Sequence, residues 1–272
     1  MISMDDIGSW VTLGVVGLVV GSFLNVVIHR LPIMIERALG EGGEAAEQDR
    51  YDLAWPPSAC PCCGHRIRPW ENLPLVSFVL LRGRCAECAT PISWRYPVVE
   101  ILAAVLPVLM GTMFADPLQV AAAAVFVWFA IAITAVDVET HLIPDALSLP
   151  LLWIGLVLAA WQAPFVSAAD AVLGAATGYA ILGGVRWGGE RIFGRPALGG
   201  GDTKLFAALG AWLGWQGLLS ILIVASCTGS VVGGMMILVG WAKREQPVPF
   251  GPYLCLGGLA SLALERSLYS LL

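Results

Sequence analysis

The chain has 272 residues, of which 58% are hydrophobic and 13% are charged, and its formal net charge is -5. Soluble globular domains carry roughly 25% charged residues, so this composition excludes a soluble domain and indicates that most of the chain lies in lipid. The mild negative charge and the grouping of Lys and Arg in a few loops argue against a nucleic-acid partner.

The first predicted element is a membrane span over residues 10–28, which is long enough for a bilayer core of about 30 Å. Residues 1–8 contain no Lys or Arg, and no small-residue cleavage site follows the span, so we expect a retained span rather than a signal peptide. Seven further apolar segments follow, over residues 98–114, 118–136, 147–161, 168–185, 203–215, 218–241 and 252–271. The sequence therefore predicts an all-α, polytopic membrane bundle of about eight spans, of which the fourth and sixth are short.

The positive charges of the loops predict the side of the membrane on which each loop lies. Lys and Arg concentrate in residues 30–95, 186–204 and 243–244. With eight spans, we expect these three loops to face the cytoplasm and both termini to lie outside.

These assignments divide the chain into a first span over residues 1–29, a cytoplasmic loop domain over 30–96 and a transmembrane core over 97–272. Within the loop domain, residues 40–49 are acidic and Gly-rich, which is typical of a flexible surface stretch. The rest of the loop domain is too short to hold a large core unaided, so we expect it to need a covalent or metal staple.

Four cysteines in the loop domain provide such a staple. They form two CxxC pairs, Cys60 with Cys63 and Cys85 with Cys88. This pattern predicts a tetrahedral zinc site with four thiolate ligands, whose binding energy can fold a small domain. Two disulfides are the alternative, although disulfides do not persist in the reducing compartment in which we place the loop. Cys62 leaves the register of the first pair open, and we expect His65 to be a solvated loop residue rather than a ligand.

Acidic side chains at the rim of a membrane span are functional candidates, because burying them without a partner is costly. Asp137 lies at the cytoplasmic end of the third predicted span, and Asp202 leads into the sixth. Two carboxylates held close together share a proton, and such a pair can activate a water and protonate a leaving amine, as in an aspartyl protease. Taken singly, Asp137 is equally well explained as a helix-terminal charge and Asp202 as an N-cap. Asp145 competes with Asp137 for the first role, and we expect the isolated Asp170 to be structural.

Glycines precede Asp202 at positions 199, 200 and 201. Glycine permits positive φ and close backbone approach, so we expect a substrate strand to lie against this loop.

Several motifs, in the same order and along nearly the whole chain, resemble those of the type IV prepilin peptidases. These enzymes are the bifunctional leader peptidases and N-methyltransferases of pilus and type II secretion systems. The matching segments are residues 21–32, the two CxxC pairs with residues 71–74 between them, and residues 92–100, 137–145, 199–204 and 249–253. The GxGD motif of the family matches Gly199, Gly201 and Asp202, with Lys204 as a supporting position, and its other catalytic aspartate matches Asp137.

The resemblance implies an aspartic endopeptidase of the bacterial inner membrane whose active site faces the cytoplasm. Its substrates would be prepilins or pseudopilins, cut after a glycine that ends a short basic leader. The new N-terminal residue, commonly phenylalanine, would then be N-methylated with S-adenosylmethionine. The chain has no GxGxxG dinucleotide fingerprint, so the methyl-donor site is not visible in the sequence. In the cysteine-bearing region, Glu71 is the candidate for methyl transfer.

Two other functions are compatible with parts of the sequence. A GxGD peptidase without methyltransferase activity would share the aspartates, but such relatives generally lack the tetracysteine loop. A transporter or a zinc-binding scaffold would need acids near the bilayer midplane, whereas Asp137 and Asp202 both lie at one rim. The sequence does not indicate an oligomeric state.

Overall fold

The computed structural model describes residues 7–40, 50–194, 198–240 and 248–269, and over these residues the chain is helical, with two isolated β-bridges and no strand. The helices are α1 (Ile7–Ala38), α2 (Val76–Leu80), α3 (Arg95–Gly111), α4 (Pro117–Thr140), α5 (Asp145–Trp161), α6 (Ala168–Phe193), α7 (Gly200–Leu238) and α8 (Gly251–Tyr269), and a 3-10 turn covers Pro69–Asn72. The chain divides into two compact units between Ala132 and Ile133, within α4.

Four of the described helices, α1, α4, α6 and α7, are long and apolar enough to cross a membrane. Helix α5 and the described part of α8 are apolar but shorter. Over the described residues each of the eight predicted spans coincides with a helix, which confirms the all-helical membrane architecture. The predicted flexible stretch beyond residue 40, and the basic residues Lys243 and Arg244, lie outside the described residues.

The sixth and seventh predicted spans are joined inside α7 rather than by a loop. Gly214 has φ 70° and ψ 176°, which lies outside the helical region, so α7 consists of two helices that meet at this residue. Asp170, near the start of α6, accepts hydrogen bonds from Trp215 and Gln216, each at 3.2 Å. The side chain of Asp170 therefore holds the two residues that follow the break.

In the first unit, α1 and α3 pack closely through small residues. A Cβ atom on Gly17 would overlap the backbone of Ala103, and one on Gly21 would lie 2.7 Å from the Cα of Glu100. Further along the same face, Asn25 Nδ2 donates to the carbonyl of Tyr96 at 3.1 Å. Small residues allow such backbone approach between membrane helices, where apolar burial alone does not drive association.

Helix α1 continues to Ala38, past the predicted end of the first span at residue 28. Within this continuation the buried Arg30 donates from its guanidinium to the carbonyl oxygens of Asp52, at 2.9 Å, and Pro56. The emerging end of α1 therefore packs on the start of the loop domain. On α3, the buried Glu100 accepts the N–H of Leu75 at 2.9 Å, which ties a second point of the loop to the helices.

In the second unit, α6 and α7 approach each other through glycines. The backbones of Gly174 and Gly210 are in direct contact, and a Cβ atom on Gly178 would lie 2.8 Å from the carbonyl oxygen of Phe206. Helix α5 is fixed to α7 by Trp212, whose Nε1 donates to the carbonyl of Leu151 at 2.8 Å. This close packing places the start of α7 near the ends of α4 and α6.

Candidate active site and metal centre

The two predicted aspartates occupy helix ends in the second unit. Asp137 lies in the last turn of α4 and is 4% exposed, and Asp202 lies in the first turn of α7 and is 9% exposed. Asp137 Oδ2 accepts the backbone N–H of Gly251 at 2.9 Å, and Asp202 Oδ2 accepts that of Gly199 at 3.1 Å. Backbone groups therefore orient both carboxylates.

Ile143, in the loop between α4 and α5, links the surroundings of the two aspartates. A Cβ atom on Gly201 would lie 2.7 Å from the Cβ of Ile143. A Cβ atom on Gly251 would lie 2.7 Å from Asp137 Oδ2 and 3.0 Å from the Cδ1 of Ile143. Asp202 lies near enough to Asp137 for the two carboxylates to interact electrostatically. The loop, the start of α7 and the start of α8 thus meet around one acidic pair.

The glycines of the GxGD segment serve a different purpose from the one the sequence suggested. Gly199 has φ -66°, and neither Gly200 nor Gly201 has positive φ, so of the two properties that glycine permits, positive φ is not used here and close approach is. Gly201 approaches Ile143 of the same chain, and the guanidinium of Arg186 lies over Gly200. Gly201 is needed because the Cβ and backbone of Ile143 leave no room for a side chain, whereas a side chain at Gly200 would only displace the end of Arg186.

Asp145, the competitor for the first catalytic role, is engaged elsewhere. Both of its carboxylate oxygens accept from Lys204 Nζ, at 2.7 and 2.6 Å, and its side chain is 55% exposed. This ion pair ties the start of α5 to the first turns of α7. The geometry therefore favours Asp137, which is buried and interacts with Asp202, as the second member of the pair.

The four cysteines of the two CxxC pairs converge in the loop domain. Their Sγ atoms all lie within 4.8 Å of one another, with 3.7 Å between Cys60 and Cys88 and 4.0 Å between Cys63 and Cys85. A tetrahedron of thiolates around zinc, with Zn–S distances of about 2.3 Å, has sulfurs about 3.8 Å apart. All four are free thiols. The donor set and its spacing therefore fit a tetrathiolate metal site.

Each CxxC pair lies in a short turn closed by an isolated antiparallel bridge. Residues 59–66 form the first knuckle, closed between Ala59 and Arg66, and residues 84–91 form the second, closed between Arg84 and Pro91. The internal hydrogen bonds repeat: Cys60 N donates to His65 O at 2.8 Å, and Cys85 N donates to Thr90 O at 2.9 Å. The two knuckles are therefore copies of one backbone turn.

The left-handed residue of each knuckle follows its first cysteine by four positions. It is Gly64 in the first knuckle, with φ 72°, and Ala89 in the second, with φ 56°. Cys62 is exposed and lies outside the thiol cluster, which places Cys63 in the first pair. Only glycine adopts this backbone region without steric cost, so Ala89 is strained.

Hydrogen bonds within the knuckles favour the thiolate form that metal binding requires. The backbone N–H groups of Cys63 and Cys62 lower the pKa of Cys60. The hydroxyl of Thr90, and to a lesser extent its backbone N–H, lower the pKa of Cys88 to about 6. Donors to a thiolate stabilise its charge. At Cys63 the N–H of His65 also favours the thiolate, but burial and the three neighbouring thiols outweigh it and raise the pKa of Cys63 to about 12, so a cation would be needed to hold all four sulfurs as thiolates.

Glu71, the residue predicted for methyl transfer, lies in the 3-10 turn between the knuckles. Its Oε2 accepts the backbone N–H of Arg68 at 2.9 Å and faces His65 Nε2 at 3.0 Å. The hydrogen bond from Arg68, and to a lesser extent the contact with His65, lower the pKa of Glu71. The second ring nitrogen of His65 lies 3.1 Å from Glu87 in the other knuckle. His65 is therefore a largely buried link between the knuckles, not the solvated residue expected from the sequence.

Two residues that complete the aspartate site had no assigned role in the sequence. Gly251 belonged to a motif segment, and Ile143 lay between the two candidate acids. One local feature marks Gly251: it precedes Pro252 at the start of an apolar helix. Backbone N–H groups in the first turn of a helix lack helical partners and remain available as donors. Nothing local could reveal that its partner is Asp137.

The fold and the site together describe a multi-pass membrane protein with a buried pair of carboxylates at helix ends. Two family models match the chain: the Bacterial Peptidase A24 N-terminal domain over residues 15–114, and the Type IV leader peptidase family over residues 124–234.

Similar proteins agree with these matches. The prepilin leader peptidase/N-methyltransferase of Burkholderia pseudomallei strain K96243 is 44% identical over 95% of this chain and 86% of its own length. The proteins of the same name from Aeromonas hydrophila and Pseudomonas aeruginosa are each 44% identical over 90% of this chain and 87% of their own lengths. The chain therefore belongs to the type IV leader peptidase family, which confirms the resemblance. No solved structure matches it.

Proposed function

We propose that this chain is a prepilin leader peptidase and N-methyltransferase of the bacterial inner membrane. It removes the short basic leader of type IV prepilins or pseudopilins at the cytoplasmic face and then N-methylates the new N-terminal residue. The observation that carries the proposal is the buried pair of Asp137 and Asp202, each oriented by a backbone N–H group, with Asp202 at the aspartate position of the GxGD motif. Both activities are named for the relatives that match most of the chain.

The aspartates divide the chemistry of peptide hydrolysis between them. One carboxylate takes a proton from a water, whose oxygen forms a bond to the scissile carbonyl carbon. The other, carrying the shared proton, gives it to the leaving amine as the C–N bond breaks. Gly251 and Gly199 hold the carboxylates in place, and the ion pair of Lys204 with Asp145 keeps α5 against the start of α7.

The loop domain over residues 30–96 carries the second activity. Its four clustered thiols, Cys60, Cys63, Cys85 and Cys88, hold one zinc ion that orders the loop. S-adenosylmethionine supplies the methyl group. We assign Glu71 to methyl transfer, since its contacts with Arg68 and His65 fix an acidic side chain in the loop. The positive charges of residues 30–95 support a cytoplasmic position for this domain, and those of residues 186–204 support the same side for the aspartates.

The test is an assay of the full chain in detergent with a prepilin peptide, read by mass spectrometry. The unsubstituted protein should remove the leader and add the mass of one methyl group. Asp137→Asn and Asp202→Asn should each abolish cleavage while the protein stays inserted, because each removes half of the proton-sharing pair. Asp145→Asn is the matched control and should retain cleavage. Loss of cleavage in Asp145→Asn with full activity in Asp137→Asn would move the site.

A further inference from the structure

A cavity of about 470 Å³ lies between α6 and α7 in the second unit. Ligand sites in proteins are typically about 300–1,000 Å³, so this volume is sufficient for a peptide side chain and its backbone. One wall is the last part of α6, where Gly183 and Gly184 leave a gap beneath the aromatic rings of Tyr179 and Trp187. The absence of side chains at the two glycines is what opens the space.

The other wall is the start of α7, and it adjoins the proposed catalytic pair. Gly200, Thr203 and Lys204 line the cavity, and these residues flank Asp202 on both sides. Thr203 is 4% exposed, and its Oγ1 is buried with no hydrogen-bond partner among the described residues. A buried hydroxyl without a partner is costly, and a ligand that offers a polar group would satisfy it.

The charges at the rim of the cavity are balanced. Arg186 pairs with Glu190 at 3.4 Å, and Lys204 pairs with Asp145 at 2.6 Å. An anionic lipid headgroup would need cations that are not already paired, and a basic peptide would need free acids. The rest of the lining includes the exposed aromatic rings of Tyr179 and Trp187 and carries no unpaired charge, so the chemistry of the cavity suits an apolar or aromatic side chain.

We propose that this cavity is the subsite for the residue that follows the scissile bond, with an apolar or aromatic side chain against Tyr179 and Trp187. This inference rests on the proposed function, because it takes Asp202 as a catalytic residue. The leader that is removed is basic and does not fit an apolar cavity with balanced charges, so the cavity belongs to the other side of the cut. Thr203 Oγ1 bonds the backbone of the bound segment.

Two glycines allow the cavity to be filled without disturbing the helix packing. A Cβ atom on Gly184 meets nothing within 4 Å, and one on Gly183 meets Thr203 Cγ2 at 3.6 Å, an ordinary contact. Gly184→Leu and Gly183→Val should therefore fold and occupy the space. Gly188→Leu is the matched control, since a Cβ atom there also meets nothing within 4 Å and Gly188 does not line the cavity.

The experiment compares two prepilin peptides that differ only in the residue after the cut, phenylalanine or alanine, with the full chain in detergent. The unsubstituted chain should prefer the phenylalanine peptide. Gly184→Leu and Gly183→Val should lower kcat/KM for that peptide by roughly 10-fold or more, as expected for a blocked apolar pocket, and leave the alanine peptide nearly unchanged. Gly188→Leu should change neither.

Other outcomes overturn the proposal. If the filled variants lose cleavage of both peptides equally, and added phospholipid restores it, the cavity would be assigned to a lipid. Unchanged selectivity in both filled variants would show that the substrate does not enter it. Failure of the unsubstituted chain to cleave either peptide would instead overturn the proposed function.

Discussion

The contacts that hold the thiol cluster join residues close together in the sequence, whereas those that hold the aspartate pair join residues far apart. Each knuckle closes within a few residues, with the same hydrogen bonds in residues 59–66 and 84–91. Asp137, in contrast, is held by the N–H of Gly251, which is 114 residues away. The proposed metal site is therefore specified by local contacts, whereas the aspartate site depends on how separate helices pack. Substitutions should affect the two regions differently.

The largest effect is expected where a single methyl group enters the aspartate site. Gly251→Ala and Gly201→Ala should lower leader cleavage roughly 100-fold, because the new Cβ displaces Asp137 or Ile143 by a fraction of an ångström or more. The measurement is the cleavage rate of purified protein, with circular dichroism to verify the helix content. Gly188→Ala, which meets nothing within 4 Å, should cleave normally. Normal cleavage by Gly251→Ala would remove the packing explanation.

Loss of a thiol should impair metal binding in the loop domain and leave the aspartate site unchanged. Cys85→Ser should reduce bound zinc from about one ion per chain to little or none, since three thiolates and a hydroxyl make a weak site. Metal analysis after anaerobic purification measures this, and limited proteolysis reports the order of the loop. Cys62→Ser is the control and should keep the metal, because Cys62 lies outside the cluster. Intact disulfides without metal in the unsubstituted protein would defeat the zinc assignment.

A smaller and more selective effect is expected at Glu71. Glu71→Ala should reduce methylation more than cleavage, because Glu71 belongs to the loop and the aspartates belong to the other unit. The mass-spectrometric assay reports both reactions on one peptide. Zinc content and expression should be unchanged. Equal loss of the two activities would show that the loop and the aspartate core do not divide the chemistry in this way.

The smallest effects are expected at the left-handed residue of each knuckle. Ala89→Gly should stabilise the loop by roughly 0.5–1 kcal/mol, since it removes the strain of a left-handed alanine, and Gly64→Ala should destabilise it by about 1–2 kcal/mol. Chelator concentrations needed to remove the metal would measure both changes. Shifts of the same sign in the two variants would contradict the equivalence of the knuckles.

The sequence was sufficient to predict the helices, because apolar segments of spanning length are a strong local signal. It was also sufficient to predict the cysteine cluster, since the spacing of two CxxC pairs carries the geometry. The break at Gly214 lies one residue before the predicted end of the sixth span, so its position is not predicted. The sequence also ends α1 too early, and the partners of Arg30 in the added turns are carbonyl groups distant in the chain.

The aspartate site was less accessible to prediction. The sequence points to the two acids and to close backbone approach at the glycines before Asp202, but it cannot tell that Gly201 is approached by Ile143 of the same chain. This contact with Ile143, the donation from Gly251 and the ion pair of Lys204 with Asp145 all join segments far apart in the chain. One sequence without tertiary contacts contains no signal for such pairings.

The bond from Gly251 to Asp137 also has a consequence for biogenesis. Translation and membrane insertion proceed from the N-terminus, so both acids emerge from the ribosome before Gly251 does. A nascent chain therefore holds its two carboxylates without the N–H that orients Asp137, and the proposed catalytic arrangement is completed only when α8 takes its place. The proposed proteolytic site would thus stay incomplete until α8 has been synthesised and inserted.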